Sequence, residues 1–119
     1  MEPVTTNIVL SLRIIKDELT GQISLIDVCS AISKAFALDK LWATCFITNV
    51  PKGAKLVSEV LVEWRGEIIP VSEAVTHYSA VPPLGIVSLS TIFTPPSETA
   101  NILFRINGQI LARTLLLRE

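Results

Sequence analysis

The feature of this sequence that most constrains its fold is the stretch of residues 99–117, in which two apolar runs flank Asn107 and Gly108. An Asn-Gly pair can place both central residues at positive φ, as a type I′ turn requires. The two runs should therefore form an antiparallel hairpin with Ile106 opposite Gln109. Counting outward from the turn gives the next pairs: Arg105 with Ile110, Phe104 with Leu111, and Leu103 with Ala112.

Both faces of this hairpin are largely apolar, whereas a sheet with one face in water alternates apolar and polar residues. The hairpin is therefore predicted to be covered on both sides, by its own domain or by a partner. We assign four apolar residues to its outer face: Leu103, Ile110, Ala112 and Leu116. An exposed patch of this kind at a sheet edge would recruit a second copy or another protein. The alternative is burial inside a closed sandwich.

Length and composition favour one domain with an aliphatic core. A chain of 119 residues can bury a core without disulfides or metals, so residues 1–119 are predicted to form a single domain. Half of the residues are hydrophobic but only 6% are aromatic, which favours packed strands rich in Ile, Leu and Val. A net charge of −1 creates no field that would steer the chain to nucleic acid or to an anionic membrane.

The apolar runs and the cysteines indicate a compartment. Charged residues interrupt each long apolar run, so none can span a bilayer, and the start of the chain lacks the basic region and cleavage site of a signal peptide. Cys29 and Cys45 lie within apolar runs and are expected to be free thiols, the usual state of cysteine in a reducing compartment. We predict a cytoplasmic protein.

Residue patterns predict strands along most of the chain. Residues 67–73 are placed at a sheet edge, because Pro70 lacks the N–H that a central strand would use. Residues 30–40 have a helix-friendly composition and predict a short helical turn or an irregular crossover. Residues 74–84 have no clear period and read as a crossing loop. The other strands are predicted at residues 5–15, 22–29, 41–49, 56–64 and 85–94. With the hairpin, about eight short strands indicate an all-β antiparallel sandwich or a small barrel.

Residues 41–49 are apolar on both faces, so their orientation stays open. If Leu41 and its alternate neighbours point inward, Trp42 and Phe46 stand on the outer face, where aromatic residues are typical interface anchors. If the phase is reversed, the two aromatics belong to the core. The loop residues His77 and Tyr78 are a candidate recognition site, with a purely structural crossover as the commoner explanation.

Several segments together resemble a family of small uncharacterised bacterial proteins. They are the opening strand, residues 21–28 (GQISLIDV), the strand that ends near residues 51–53, and residues 102–113 (ILFRINGQILAR). The resemblance implies an immunoglobulin-like β-sandwich of about seven to nine strands and no assigned activity. The family usually has a glycine after Ile26, where this chain has Asp27, and an aromatic-rich final strand pair, where this chain is aliphatic.

The sequence offers little for catalysis or for a metal. Cys29, Cys45 and His77 are the soft ligand candidates, and no two of them have the short spacing of a metal site. A cysteine nucleophile with His77 as its base needs a lowered thiol pKa, whereas aliphatic neighbours would raise it. Glu59 and Glu63 share one strand face, as is typical of a solvated surface. We predict no enzyme, no metal and no cofactor.

Two function hypotheses remain. The first is a non-enzymatic interaction or assembly module, a homodimer or the binder of an unidentified protein, that acts through an apolar sheet face or edge. The second is a small-molecule-binding sandwich with an apolar cavity between its sheets. A cavity of ligand size would support the second hypothesis, and a tightly filled core would oppose it.

Overall fold

The protein is a two-layer β-sandwich. The computed structural model describes residues 4–5, 7–16, 19, 23–33, 40–48, 55–77 and 86–119, and these residues contain no helix. The predicted all-β sandwich is confirmed. The strands are β1 (Val4–Thr5), β2 (Val9–Lys16), β3 (Ile23–Val28), β4 (Ala31–Ile32), β5 (Leu41–Thr48), β6 (Lys55–Trp64), β7 (Glu67–His77), β8 (Ile86–Phe93), β9 (Ala100–Ile106) and β10 (Gln109–Arg118).

The strands form two sheets, which we call sheet I and sheet II. In sheet I, β5 is central and pairs with β1, β2 and β8, while β3 pairs with β2. Sheet II has the order β4-β10-β9-β6-β7. All pairs are antiparallel except β4 with β10, which is parallel. The edge position predicted for residues 67–73 is confirmed, because β7 is the last strand of sheet II.

The segment of residues 30–40 begins as a crossover, which is one of the two alternatives predicted for it. Ala31 and Ile32 form a short strand beside Leu117 and Arg118, so the chain passes here from sheet I to sheet II. Backbone bonds from Leu117 N–H to the Ser30 carbonyl (2.9 Å) and from Glu119 N–H to the Ile32 carbonyl (3.1 Å) stabilise this crossing. A helical turn is therefore wrong for its first residues, whose N–H and C=O groups join a ladder instead. Residues 34–39 lie outside the described residues.

The core lies between the inner faces of the two sheets. In β5, every second residue from Leu41 to Ile47 is fully buried and belongs to the core, so Trp42 and Phe46 lie on the outer face. The structure thereby decides which face of β5 points inward, a question that the sequence left open. The Ser58 and Thr91 hydroxyls, 3.1 Å apart and buried, join β6 of sheet II to β8 of sheet I. A buried hydroxyl pair satisfies both groups and fixes the position of one sheet over the other.

The turn of the C-terminal hairpin has the predicted geometry. Asn107 has φ 48° and Gly108 has φ 85°, as a type I′ turn requires. The first two predicted pairs after the turn are present. The Asn107 side chain also accepts a hydrogen bond from the Val57 N–H (2.9 Å), and the Asn107 N–H donates to the Val57 carbonyl (2.9 Å). The turn is therefore attached to β6 as well as to its own strands.

Beyond these two pairs the predicted register is wrong. A β-bulge between Ile110 and Ala112 places Ala112 opposite Phe104, and Arg113 opposite Leu103. The bulge inserts one extra residue into β10. Because side chains alternate between faces, one inserted residue moves every later side chain to the other face.

The bulge divides the four residues that were predicted to share the outer face of the hairpin. Ala112 (8% exposed) and Leu116 (0%) point into the core. Leu103 lies on the outer face but is also fully buried, while Ile110 is 41% exposed. Placing Ala112 and Leu116 on the outer face was therefore wrong, and the physical reason is the bulge.

The turn allows a test of backbone strain alone. Gly108 has φ +85°, and a Cβ added to it would meet nothing within 4 Å. Replacing it with alanine is therefore expected to lower the free energy of unfolding by about 1–2 kcal/mol, which is the cost of a left-handed backbone for a residue with a Cβ. Urea denaturation measures the loss. Gly66→Ala, at φ +80° and equally open, should lose a similar amount, and unchanged stability in both variants would contradict the turn geometry.

Candidate functional site

Two leucines lie at the centre of the outer face of sheet II. Leu61 is opposite Leu103, and each alternates with core residues on its own strand, so both side chains point away from the core. Nevertheless Leu61 is only 1% exposed and Leu103 is 0% exposed. Other groups of the chain must therefore cover them.

Charged and polar residues surround these two leucines. Arg105 donates two hydrogen bonds to Glu59, from Nε to Oε1 (2.9 Å) and from Nη2 to Oε2 (2.6 Å). Arg113 Nη1 lies 3.5 Å from Glu63 Oε1, which also accepts a hydrogen bond from Asn101 Nδ2 (3.3 Å). Long charged side chains can cover apolar surface with their aliphatic stems. The charged side chains of this face are therefore paired with one another, and their charges cancel locally.

The ion pairs also determine the chemistry of the two carboxylates. The hydrogen bonds from Arg105 lower the pKa of Glu59 below its usual range, so this carboxylate stays ionised and bound to the guanidinium. Glu63 is held by Asn101 and Arg113. A general acid needs a raised pKa, whereas the pKa of Glu59 is lowered, so Glu59 acts here as a structural partner of Arg105.

The exposed Trp64, at the β6–β7 turn, already has its polar interactions within its own chain. The Arg65 guanidinium lies 4.3 Å from the centroid of the Trp64 ring, and Trp64 Nε1 donates to Glu98 (3.0 Å). A cation over the ring and a paired N–H are the two interactions that an exposed indole would otherwise offer to a partner.

The sheet edges carry features that hinder pairing with another chain. The edge strand β7 contains Pro70 and a bulge, and the edge strand β3 contains Asp27 at φ 57°. On β8, the Ile92 carbonyl accepts a hydrogen bond from the Ser72 hydroxyl of β7. The short strand β4 covers the end of β10. Proline, bulges and inserted charges are the usual protection of an edge, so an interaction surface is better sought on a face.

The outer face of sheet I is different, because it has no charge across two neighbouring strands. Neither β5 nor β8, of eight residues each, contains Lys, Arg, Asp or Glu. Thr44 Oγ1 and Ser90 Oγ are 2.8 Å apart and hydrogen-bond across the two strands. We call the outward residues of β5 and β8 the uncharged face: Trp42, Thr44, Phe46, Ser88, Ser90 and Ile92. A sheet face that stays in water usually carries charged residues among its polar ones, and this one carries none.

A more exposed rim borders the uncharged face, and we call it the β2–β3 rim. Ile15 is 58% exposed and Val28 is 62% exposed. Between them, Arg13 Nη2 lies 3.6 Å from Asp27 Oδ2, and these two side chains are 70% and 58% exposed. Arg13 is opposite Ile26, so the rim continues the outer face of sheet I from β2 onto β3.

The predicted interface residues fall in three places. Trp42 and Phe46 are half-buried on the uncharged face. Leu103 and Ile110 lie on sheet II, and Ala112 and Leu116 lie in the core. The structure therefore does not bring these six residues together. Residues 74–77, predicted as the start of a crossing loop, belong instead to β7, so the prediction is wrong for them. Of the predicted recognition site, the backbone of His77 ends β7, whereas its side chain and Tyr78 lie outside the described residues.

Neither cysteine is suited to nucleophilic chemistry at neutral pH. Burial raises the pKa of Cys45 to about 12. The pKa of Cys29 is also raised, first by burial and then by the charge of Asp27. Both directions agree with the prediction from their aliphatic neighbours. In the part of the chain that the structure describes, no three His, Cys, Asp or Glu side chains are grouped so that they could hold a metal ion.

A cleft of about 260 Å³ opens at the side of the sandwich, between β2, the crossing into β4, and β10. Ile8, Leu10 and Val28 supply most of its apolar lining, and Cys29 and Thr114 add small polar groups. Ligand sites usually have about 300–1,000 Å³ and enclose most of the ligand. The cleft is therefore at the lower limit of size for a small-molecule site.

Comparison of the chain with known protein families and with curated proteins finds no match. The resemblance to the family of small bacterial proteins therefore stays a prediction. Among the described residues there is no helix that is long and apolar enough to cross a membrane.

Sequence reasoning missed the two features that distinguish the outer faces of the sheets. The pairing of Glu59 with Arg105 joins residues 46 positions apart, so it can be found only after the strand order is known. The absence of charge from β5 and β8 is visible in the sequence, but it becomes informative when the two strands are known to be neighbours.

Proposed function

We propose that this protein is a non-enzymatic assembly module that associates with a second copy of itself through the uncharged face. The observation that carries the proposal is the lack of charge on two neighbouring strands whose outer face presents Trp42 and Phe46. Interface cores are depleted in charged residues and enriched in aromatic ones. We place this function in the cytoplasm, which the two free thiols support.

The other surfaces support the choice of this face. On sheet II, each of the four charged residues around Leu61 and Leu103 already has an opposite charge beside it. A partner that docked there would have to desolvate ion pairs, and that cost often exceeds the electrostatic gain. The uncharged face carries no such cost, because its hydroxyl pair Thr44–Ser90 is already hydrogen-bonded.

The area of the uncharged face limits how large a contact it can form. The uncharged face lies on two neighbouring strands of eight residues each, which cover about 10 by 26 Å, or roughly 250 Å² in projection. Stable interfaces bury about 800 Å² on each partner. The uncharged face alone is therefore too small, and a stable dimer needs the neighbouring β2–β3 rim as well.

The solution mass of the protein tests the proposal, measured by light scattering during size-exclusion chromatography and by sedimentation. We expect the wild type to be a dimer and Phe46→Glu to be a folded monomer, because a carboxylate at this position would be desolvated in the contact. Ile110→Glu is the matched control: it places the same charge on an exposed apolar residue of sheet II and should remain dimeric.

Circular dichroism shows whether the variant keeps its fold. If Phe46→Glu unfolds, Phe46→Thr replaces it, because Thr44 and Thr48 already occupy the same face of β5. A monomeric wild type at every concentration, or a folded position-46 variant that dimerises like the wild type, would contradict the proposal.

Small-molecule binding is the second candidate function, and the cleft beside β10 is the observation in its favour. It is the weaker candidate, because the cleft lies at the side of the sandwich and is smaller than most ligand sites.

A further inference from the structure

We infer that the dimer is isologous about the β2–β3 rim, with Arg13 of each protomer paired with Asp27 of the partner subunit. This inference rests on the proposed self-association through sheet I, and it adds where the twofold axis lies and which charges meet across it.

The exposed fractions of the apolar side chains indicate where the twofold axis of the dimer lies. On the uncharged face, Trp42, Phe46 and Ile92 are half-buried. On the rim, Ile15 and Val28 are 58% and 62% exposed, among the most exposed large hydrophobic residues of the described chain. Apolar area removed from water drives association, so within sheet I the gain per residue is larger on the rim than on the uncharged face.

The two charges of the rim can pair with the same two charges of a second copy. In a twofold interface the same patch meets itself, so any single unpaired charge on it would face a like charge. Arg13 and Asp27 have opposite signs and are neighbours. A twofold axis near them brings each guanidinium to the other carboxylate, which makes the rim compatible with a second copy of the chain.

The contact inside one protomer leaves both groups available. It is a single approach of 3.6 Å between side chains that are 70% and 58% exposed. Arginine has five N–H donors, and an ionised carboxylate can accept several hydrogen bonds. The Glu59–Arg105 pair of the same protein, in contrast, is bidentate and half-buried.

The backbone of Asp27 supports the same conclusion. Its φ of 57° is unfavourable for a residue with a Cβ, although aspartate tolerates it better than most. A single exposed ion pair returns little stability. The contact within one protomer therefore does not by itself offset the cost of this backbone.

Two single charge reversals test the inference. Arg13→Asp leaves two negative charges on the rim, and Asp27→Arg leaves two positive charges. Arginine is acceptable at position 27, since Arg65 adopts φ 52° in the same chain; Asp27→Lys is the substitute if the variant does not fold. Each variant alone places like charges across the axis and should dimerise at least about tenfold more weakly than the wild type.

Mixing the two variants is the decisive step. In a mixed pair, two negative charges meet two positive charges, so we expect heterodimers in native mass spectrometry where neither variant alone forms a dimer. The contact within each protomer stays like-charged in the mixture, so only a contact between protomers can explain the recovery. The double reversal should dimerise like the wild type and shows that both substitutions are compatible with the fold.

The outcomes separate this inference from the proposed function. A wild-type dimer whose two single reversals still dimerise fully, with no preference for heterodimers, would overturn the inference and leave the uncharged face as the contact. A monomeric wild type would overturn the proposed function and this inference with it.

Discussion

Replacing Leu103 with glutamate is expected to unfold the protein and not merely to dissociate a dimer. Leu103 is 0% exposed although it lies on the outer face of sheet II. The substitution removes about 2 kcal/mol of apolar burial and places a carboxylate beside Leu61, among residues that are already paired. A buried charge without a partner of its own costs about 3–5 kcal/mol. The sum is comparable to the whole stability of a small domain, about 5–15 kcal/mol.

Circular dichroism and urea denaturation measure this effect, and Ile110→Glu is its matched control. Ile110 is 41% exposed and opposite Arg105, so a glutamate there stays in water near a positive charge. Its stability should change by no more than about 0.5 kcal/mol. If both variants unfolded at nearly the same urea concentration as the wild type, Leu103 could not be buried in the way described.

The contrast between these two positions shows what the sequence could predict. The turn residues Asn107 and Gly108 predicted the hairpin and its first two pairs, because a type I′ turn has a definite chemistry. The bulge near Leu111 has no such signal. Leu111 and Ala112 are both apolar, so the hydrophobic pattern fits either phase equally well, and the register beyond the bulge could not be chosen.

The cover of the outer hairpin face was predicted as one of two alternatives, but the ion pairs of that face were not predicted. The sequence suggested a cover from the domain or from a partner, and Leu103 is fully buried within its own chain, with the paired Glu59 and Arg105 on the same face. Glu59 and Arg105 belong to strands separated by most of the second half of the chain. Pairs of this kind follow from the strand order, which local patterns do not determine.

Asp27 is a position where the local pattern missed a feature of the backbone. The run of residues 22–29 reads as an uninterrupted strand, whereas Asp27 has φ 57°. Aspartate tolerates positive φ better than most residues with a Cβ, which explains how it can stand there. An alternating pattern of side chains carries no information on such a local change of φ, so the sequence could not predict it.

The core should be most sensitive at Phe104, where we expect Phe104→Ala to lower the free energy of unfolding by about 3–5 kcal/mol. Phe104 is fully buried, with Val60 opposite it on β6 and Ala112 opposite it on β10. Because the bulge places the small Ala112 directly opposite the ring, that residue cannot fill the space of the ring, and Leu111 packs against the core only as a partly buried side chain. The cavity left by the substitution can collapse only partly, which favours the upper half of this range.

Urea denaturation at a fixed protein concentration measures the loss, and Phe104→Leu provides the graded comparison. Leucine keeps most of the apolar volume, so its cost should be about 1–2 kcal/mol. If the register predicted from the turn were the true one, Leu111 would stand beside Phe104 and could move into the vacated space. A loss below about 2 kcal/mol for Phe104→Ala would therefore argue for that register and against the bulge, together with the inward orientation of Ala112 and Leu116 that depends on it.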